Sequence, residues 1–148
     1  MKHDELEDKY CSIARTWSLV GERWTMMILR EAFRGSRKYD EFEAKLGLGR
    51  NILSDRLRIL VDRGIMDRQL YQRRPDRYEY RLTDKGADLY PVLVSLMRWG
   101  DKHMVDEPPV RLIHEACGKP ADPEMTCVSC QEPIGWGDVR TEFADGAW

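Results

Sequence analysis

Residues 66–82 read MDRQLYQRRPDRYEYRL, and the rest of the chain is best understood from this stretch outward. Met66 to Gln72 alternates loosely, while Tyr78 to Leu82 alternates cleanly, with Tyr78, Tyr80 and Leu82 on one face and Glu79 and Arg81 on the other. A period of two belongs to a half-buried strand. Between the two runs lies Arg73-Arg74-Pro75-Asp76-Arg77, in which Pro-Asp supplies a turn. The spacing predicts a β-hairpin whose tip carries three Arg within five residues. A tip that had only to remain solvated would be served by Lys, Ser or Asn, so the Arg cluster needs another reason.

The segment before the hairpin supplies one. Arg50 to Arg63 places Leu53, Leu57, Leu60 and Val61 in one stripe and is stopped by Gly64. At 100° per residue Asn51, Asp55, Arg58 and Asp62 fall opposite that stripe, with Arg50 and Ser54 on its flank. A shorter helix, Tyr39 to Leu46, precedes it, with Tyr39, Phe42 and Leu46 pointing inward and only Gly47, Leu48 and Gly49 as the link. Two helices joined by a tight Gly-bearing turn are either a helix-turn-helix or an ordinary helical hairpin with a solvated face. The basic hairpin that follows decides for the former. Helix-turn-helix plus Arg-tipped hairpin is the winged helix, whose helix enters the major groove while the wing lies along phosphates or in the minor groove.

Further out, Cys11 to Val20 shows Ile13, Ala14, Trp17 and Val20 on one helical face, and Glu22 to Arg34 repeats the period before Gly35 ends it. Trp17, Trp24 and Trp99 read as core aromatics. Beyond the hairpin, Thr83 is expected to cap one long helix running to about Met104, with Pro91 tolerated early. Its apolar residues cover an arc of about 220° at 100° per residue. That is more than one small domain can cover, which points to a second subunit and to a pseudo-palindromic duplex read by a homodimer; the alternative is that the tail folds back and covers the arc.

The chain of 148 residues, 42% hydrophobic and 34% charged, suits one packed core with a small appendage and argues against disorder and against a two-domain enzyme. Two segments are expected: 1–105, for DNA binding and dimerisation, and 106–148, a Cys-rich appendage. Charge divides the same way. Residues 1–103 hold 21 Lys+Arg against 17 Asp+Glu, whereas 104–148 hold 3 against 9. The longest stretch without charge, Leu89 to Met97, is far short of a membrane span of about 20 residues, and the acidic start lacks an apolar leader region. A cytoplasmic location is expected, with Cys as thiols or metal ligands rather than structural disulfides.

Several linked motifs resemble the HxlR-type bacterial transcriptional regulators, winged-helix relatives of the broader MarR-like group. They are a Cys shortly before the first helix, Gly21-Glu22-Arg23-Trp24-Thr25, Ile28-Leu29-Arg30, Arg37-Lys38-Tyr39-Asp40-Glu41-Phe42, Leu53 with Arg56-Leu57 and Leu60, Gly64, and above all Tyr80-Arg81-Leu82-Thr83-Asp84-Lys85-Gly86. Ser12 stands where Pro commonly follows the Cys, and Tyr39 and Phe42 where Phe and Leu are common. The resemblance implies a homodimeric, cytoplasmic DNA-binding regulator with no catalysis of its own. The expected DNA-facing residues are Arg37, Arg50, Asn51, Ser54, Asp55, Arg58, Arg73, Arg74 and Arg77. In some members of the resembling family a Cys at the position of Cys11 is a thiol sensor, which makes a small molecule or reactive electrophile a candidate effector. A buried Cys near a helix start is equally an ordinary core residue.

In the tail, His114, Cys117, Cys127 and Cys130 form His-x2-Cys-x9-Cys-x2-Cys. Two such pairs, each on a tight turn, match what tetrahedral zinc requires, and so short and acidic a tail has little core to hold it, so one structural zinc per chain is expected. A Cys127/Cys130 redox pair and plain thiols are the alternatives. Two other functions fit less of the chain: a winged helix used as a protein-interaction module, which has no need of an Arg-tipped wing, and a thiol-disulfide redox protein using Cys127 and Cys130. Gly47-Leu48-Gly49 lacks the third Gly of a dinucleotide motif, and neither a nucleophile-elbow nor a Walker pattern is present.

Overall fold

The computed structural model describes residues 3–147; Met1, Lys2 and Trp148, the outer ends of the two expected segments, lie outside the described residues. By its internal contacts the chain divides into two compact units, the first ending at Arg98 and the second running from Trp99 to Ala147. The first holds helices α1 (His3–Glu7), α2 (Ser12–Val20), α3 (Thr25–Phe33), α4 (Tyr39–Leu46) and α5 (Arg50–Asp62), then the antiparallel strands β1 (Met66–Gln72) and β2 (Arg77–Leu82), then α6 (Asp84–Ala87) and the start of α7 (Tyr90–His103). In the second unit two short strands pair, β3 (Ile113–His114) with β4 (Lys119–Pro120).

Helix spacing dictates the core. Ile28 and Leu29 from α3, Phe42 from α4, and Leu53, Leu57 and Leu60 from α5 are fully buried together with Ile65 and Met66, where the chain enters the wing. Each such side chain contributes about 2 kcal/mol by leaving water. The helix-turn-helix follows the expected bounds closely. Gly47 ends α4 in the left-handed region, φ 61, where a residue with a Cβ is strained, and Leu48 of the short link is itself buried. Among the described residues one charged side chain of this unit is buried: Glu31, which faces Arg30 at 2.9 Å, Arg34 at 3.2 Å and Lys45 at 3.8 Å.

A small polar clasp joins the end of α5 to both strands of the wing. The Thr83 backbone N–H donates to the Ile65 carbonyl, its hydroxyl donates to the Gly64 carbonyl at 2.7 Å, and the same oxygen accepts from the Gly86 N–H at 3.1 Å. Lys85 Nζ donates to the Arg63 carbonyl at 2.8 Å, satisfying an orphan acceptor at the helix end. Gly86 lies so close that a Cβ there would overlap the Ile65 carbonyl oxygen. These contacts give a physical meaning to the Leu82-Thr83-Asp84-Lys85-Gly86 run.

Two expectations need correction. The single helix from Thr83 to Met104 is two helices, broken at Asp88 and Leu89. Pro91 has no N–H and its ring crowds the carbonyl four residues back, so it fits only in the first turn of a new helix; Thr83 caps the short α6 instead. Trp17 and Trp99 are not core residues, being 53% and 59% exposed, and Ile13 is also exposed. Of the expected inner face of α2 only Ala14 and Val20 are buried, whereas Trp24 does pack against the core.

Candidate nucleic-acid interface

The sequence places α5 and the wing side by side, and the structure adds α4, which packs against both α5 and β2. β1 and β2 pair in the register Met66 with Leu82, Arg68 with Tyr80 and Leu70 with Tyr78, so Tyr78, Tyr80 and Leu82 share a face as expected. Arg68 shares that face. Its guanidinium stacks 3.7 Å from the centre of the Tyr78 ring, a cation–π contact. A bridge from Lys38 to Glu79 and a hydrogen bond from the Tyr80 N–H to the Arg37 carbonyl, 2.7 Å, tie the wing to the entrance of α4. The Glu41 carboxylate accepts from the backbone N–H groups of Arg37 and Lys38, and those bonds hold it below the usual carboxylate range. Burial pushes the Tyr80 phenol up.

Along α5, Asn51 and Ser54 are exposed on the outward face. Arg50 is exposed at the first turn and its Nε donates to Glu43 at 3.0 Å, which raises its already high pKa. Arg58 lies between Asp55 at 2.7 Å and Asp62 at 3.3 Å, and Asp55 also meets Arg56 at 3.1 Å. Asp55 therefore orders two Arg side chains rather than standing alone. Exposed pairs of this kind are screened by water and weak, little hindrance to Arg58 turning toward an anion. At the wing tip Arg73, Arg74 and Arg77 are all exposed and form no ion pair among the described residues. Arg74 takes φ 63, and the side chain of Arg37 is exposed at the α4 entrance.

Sequence reasoning missed Tyr39 as part of this surface. Its ring leans on the core, yet its hydroxyl donates to the Arg50 carbonyl at 3.0 Å and lies 3.2 Å from Ser54 Oγ. It thus couples the first turn of α4 to the first turn of α5. Tyr39, Arg68, Tyr71, Arg77, Tyr78 and Tyr80 line a cleft of 380 Å³ between α4 and the wing. Arg68 could have been found once the hairpin register was written out, since a residue two before Leu70 shares its face; the Tyr39 hydroxyl contact leaves no signal in periodicity.

The other candidate residues lie elsewhere. Cys11 is partly exposed at the start of α2, and its carbonyl accepts the Arg15 N–H at 3.0 Å. In the second unit Cys117 Sγ stands 3.4 Å from His114 Nδ1. Cys127 is held below the usual thiol range by the backbone N–H of Cys130, then that of Ser129, with the Cys130 side chain adding to them. These are two pairs. Among the described residues no three His, Cys, Asp or Glu side chains are grouped as a metal would need. No helix of the described residues is long and apolar enough to cross a membrane.

Comparisons with known proteins agree with this geometry. Residues 19–108 match the family model described as HxlR-like helix-turn-helix. An uncharacterised helix-turn-helix-type transcriptional regulator of Mycobacterium tuberculosis strain H37Rv is 46% identical over 137 residues, 91% of this chain and 87% of that protein. The crystal structure of PA1607, described as a candidate transcription factor, superposes with a TM-score of 0.84 at 35% identity, covering 93% of this chain and 98% of that one. The oxidised form of the redox regulator HypR matches with a TM-score of 0.59 at 26% identity, covering 64% of this chain and 99% of that one.

Proposed function

The chain belongs to the HxlR-like helix-turn-helix family, and from that premise we propose that it is a transcriptional regulator that binds a pseudo-palindromic DNA operator as a homodimer. The observation that carries this reading is a set of exposed groups linked through Tyr39: Asn51 and Ser54 on the outer face of α5, the cleft that Tyr39 shares with Arg77 of the wing, and a wing tip whose Arg73, Arg74 and Arg77 form no ion pair among the described residues. Asn51, Ser54, Arg50 and Arg58 meet base edges or the adjacent phosphates, with Asp55 setting the pose of Arg58. Arg37, Arg73, Arg74 and Arg77 hold the backbone or minor groove. Residues 1–105 are the DNA-binding and dimerisation segment, and 106–148 the appendage.

Dimerisation is supported by α7. Leu93, Val94 and Met97 turn inward, whereas Val92, Leu96 and Trp99, at i, i+4 and i+7, remain exposed. An apolar stripe at helical spacing left in water marks an interface, and a second copy of the same helix is the occupant that two-fold operators require.

Footprinting of the purified protein on the promoter of its own gene and its neighbours tests the reading. Protection of a pseudo-palindrome is expected. Asn51→Ala should flatten the preference for the operator over scrambled duplex by about 1–3 kcal/mol, the worth of one bidentate hydrogen-bond pair to a base edge, while non-specific binding persists. Binding that ignores both promoter and salt would instead favour the protein-interaction module.

A second reading concerns switching. Cys11 is partly exposed and the structurally similar HypR is a redox regulator, so Cys11 is proposed as a thiol sensor for an electrophile or oxidant. Treatment with either should change operator affinity in the wild type and leave Cys11→Ser unmoved. Equal responses from both proteins return Cys11 to a packing role.

A further inference from the structure

The second unit contains a structural repeat that no part of the DNA-binding reading uses. Shift the sequence by 13 residues and Ile113-His114-Glu115-Ala116-Cys117-Gly118-Lys119-Pro120-Ala121 falls on Thr126-Cys127-Val128-Ser129-Cys130-Gln131-Glu132-Pro133-Ile134. The backbone repeats with it. Gly118 N–H donates to the His114 carbonyl at 2.8 Å, and Gln131 N–H donates to the Cys127 carbonyl at 2.8 Å. Ala121 N–H donates to Leu112, and Ile134 N–H to Met125, both at 2.8 Å. Ile113 pairs with Pro120 as Thr126 pairs with Pro133. Gly118 and Gln131 are both left-handed, φ 65 and φ 63, and for Gln131 that conformation is an unusual one, occupied only where the turn demands it.

Each hairpin therefore presents its first and fourth turn residues, His114 with Cys117 and Cys127 with Cys130, on one side of a tight turn. For ligands at about 2.05 Å (N) and 2.3 Å (S) from a tetrahedral zinc, the N···S separation is about 3.6 Å. The observed His114 Nδ1 to Cys117 Sγ distance is 3.4 Å. The unit also lacks the usual means of holding such turns in place. Not one residue from 104 to 147 is buried, and Leu112, Ala121, Cys127 and Ile134 are the only half-buried ones among them.

We propose that His114, Cys117, Cys127 and Cys130 bind one structural Zn(II) per chain, each hairpin supplying two of the four ligands. The two pairs are not gathered into one cluster, but the hairpins are joined by only Asp122, Pro123 and Glu124, so their ends are at most about 14 Å apart. Metal binding supplies the free energy that closes this span and holds together a unit without a buried core. With all four positions filled by protein the zinc has no open site for water, and its role is structural.

The test uses full-length protein purified without added zinc. Elemental analysis should give one zinc per chain, Co(II) exchanged into it should show the visible absorption of tetrahedral thiolate coordination, and three tail thiols should react only after chelation. Cys117→Ser with Cys130→Ser, one change in each hairpin, should lower the zinc ratio to near zero. Operator binding, which is built on residues outside the tail, serves as the folding control for that variant. His114→Ala should retain zinc more weakly through the three thiolates. A ratio near zero after incubation with Zn(II), a Cys127–Cys130 disulfide in the protein kept under reducing conditions, or full zinc retention by the double variant would each overturn the proposal.

Discussion

Replacing Arg73, Arg74 and Arg77 together with Ala should lower the slope of log affinity against log salt by about 2.7 for each wing, roughly 0.9 for every phosphate no longer neutralised. Raising salt from about 50 to 200 mM then costs the wild type about 40-fold more affinity per wing than it costs the variant. The effect is expected to be the same on operator and on unrelated duplex, because phosphate contacts carry no sequence. All three side chains are exposed at the tip and make no ion pair among the described residues, so thermal stability should change by no more than about 0.5 kcal/mol. Titrations of both proteins over a salt series read the slope directly. Superimposable slopes would remove the wing from the interface.

Leu96→Glu is expected to have the larger effect on operator binding. Leu96 is 49% exposed in the middle of the Val92, Leu96 and Trp99 stripe, so a single chain accepts Glu there with its core untouched. Two copies packed through that stripe do not, since each would bury an unpaired carboxylate. Sedimentation should show half the wild-type mass with unchanged far-ultraviolet circular dichroism. The second half-site then ceases to be bound intramolecularly, and operator affinity should fall by about 10²- to 10⁴-fold. A variant that remains dimeric with full affinity would mean the stripe is covered in some other way.

Much of this architecture is legible in the amino-acid sequence. Periodicity finds α4 and α5 almost to the residue because each has one buried face and one wet face, while the wing strands, with β1 exposed from Asp67 to Gln72, are marked by the alternation of Tyr78, Tyr80 and Leu82 and by the turn between them; glycines at Gly35, Gly47 and Gly64, all at positive φ, punctuate the helices. The long C-terminal helix is not legible in the same way, because an apolar run reads the same whether or not the N–H supply is interrupted, and Pro91 interrupts it. Trp17 and Trp99 mislead for a related reason: periodicity shows which residues share a side but not whether the chain has anything to set against that side. The outward residues of α5 follow from angle alone. The Tyr39 hydroxyl and the Asp55–Arg58–Asp62 ion pairs do not, since they depend on rotamers rather than on spacing.

The clasp of Thr83, Lys85 and Gly86 around the end of α5 has a mechanical consequence. β1 is 7 residues long, so the wing projects about 23 Å from its base. A lever of that length magnifies error: a tilt of about 5° at the base displaces the tip by about 2 Å, several times the tolerance of a hydrogen bond to phosphate. The pivot at the base of the lever is fixed by bonds to Arg63, Gly64 and Ile65, just beyond the last turn of the same helix that is proposed to face the bases. Helix and wing are thus aimed together, and if the wing meets phosphates as proposed, a substitution at Gly86, where a Cβ would overlap the Ile65 carbonyl oxygen, would displace the tip Arg side chains from them without touching the tip itself.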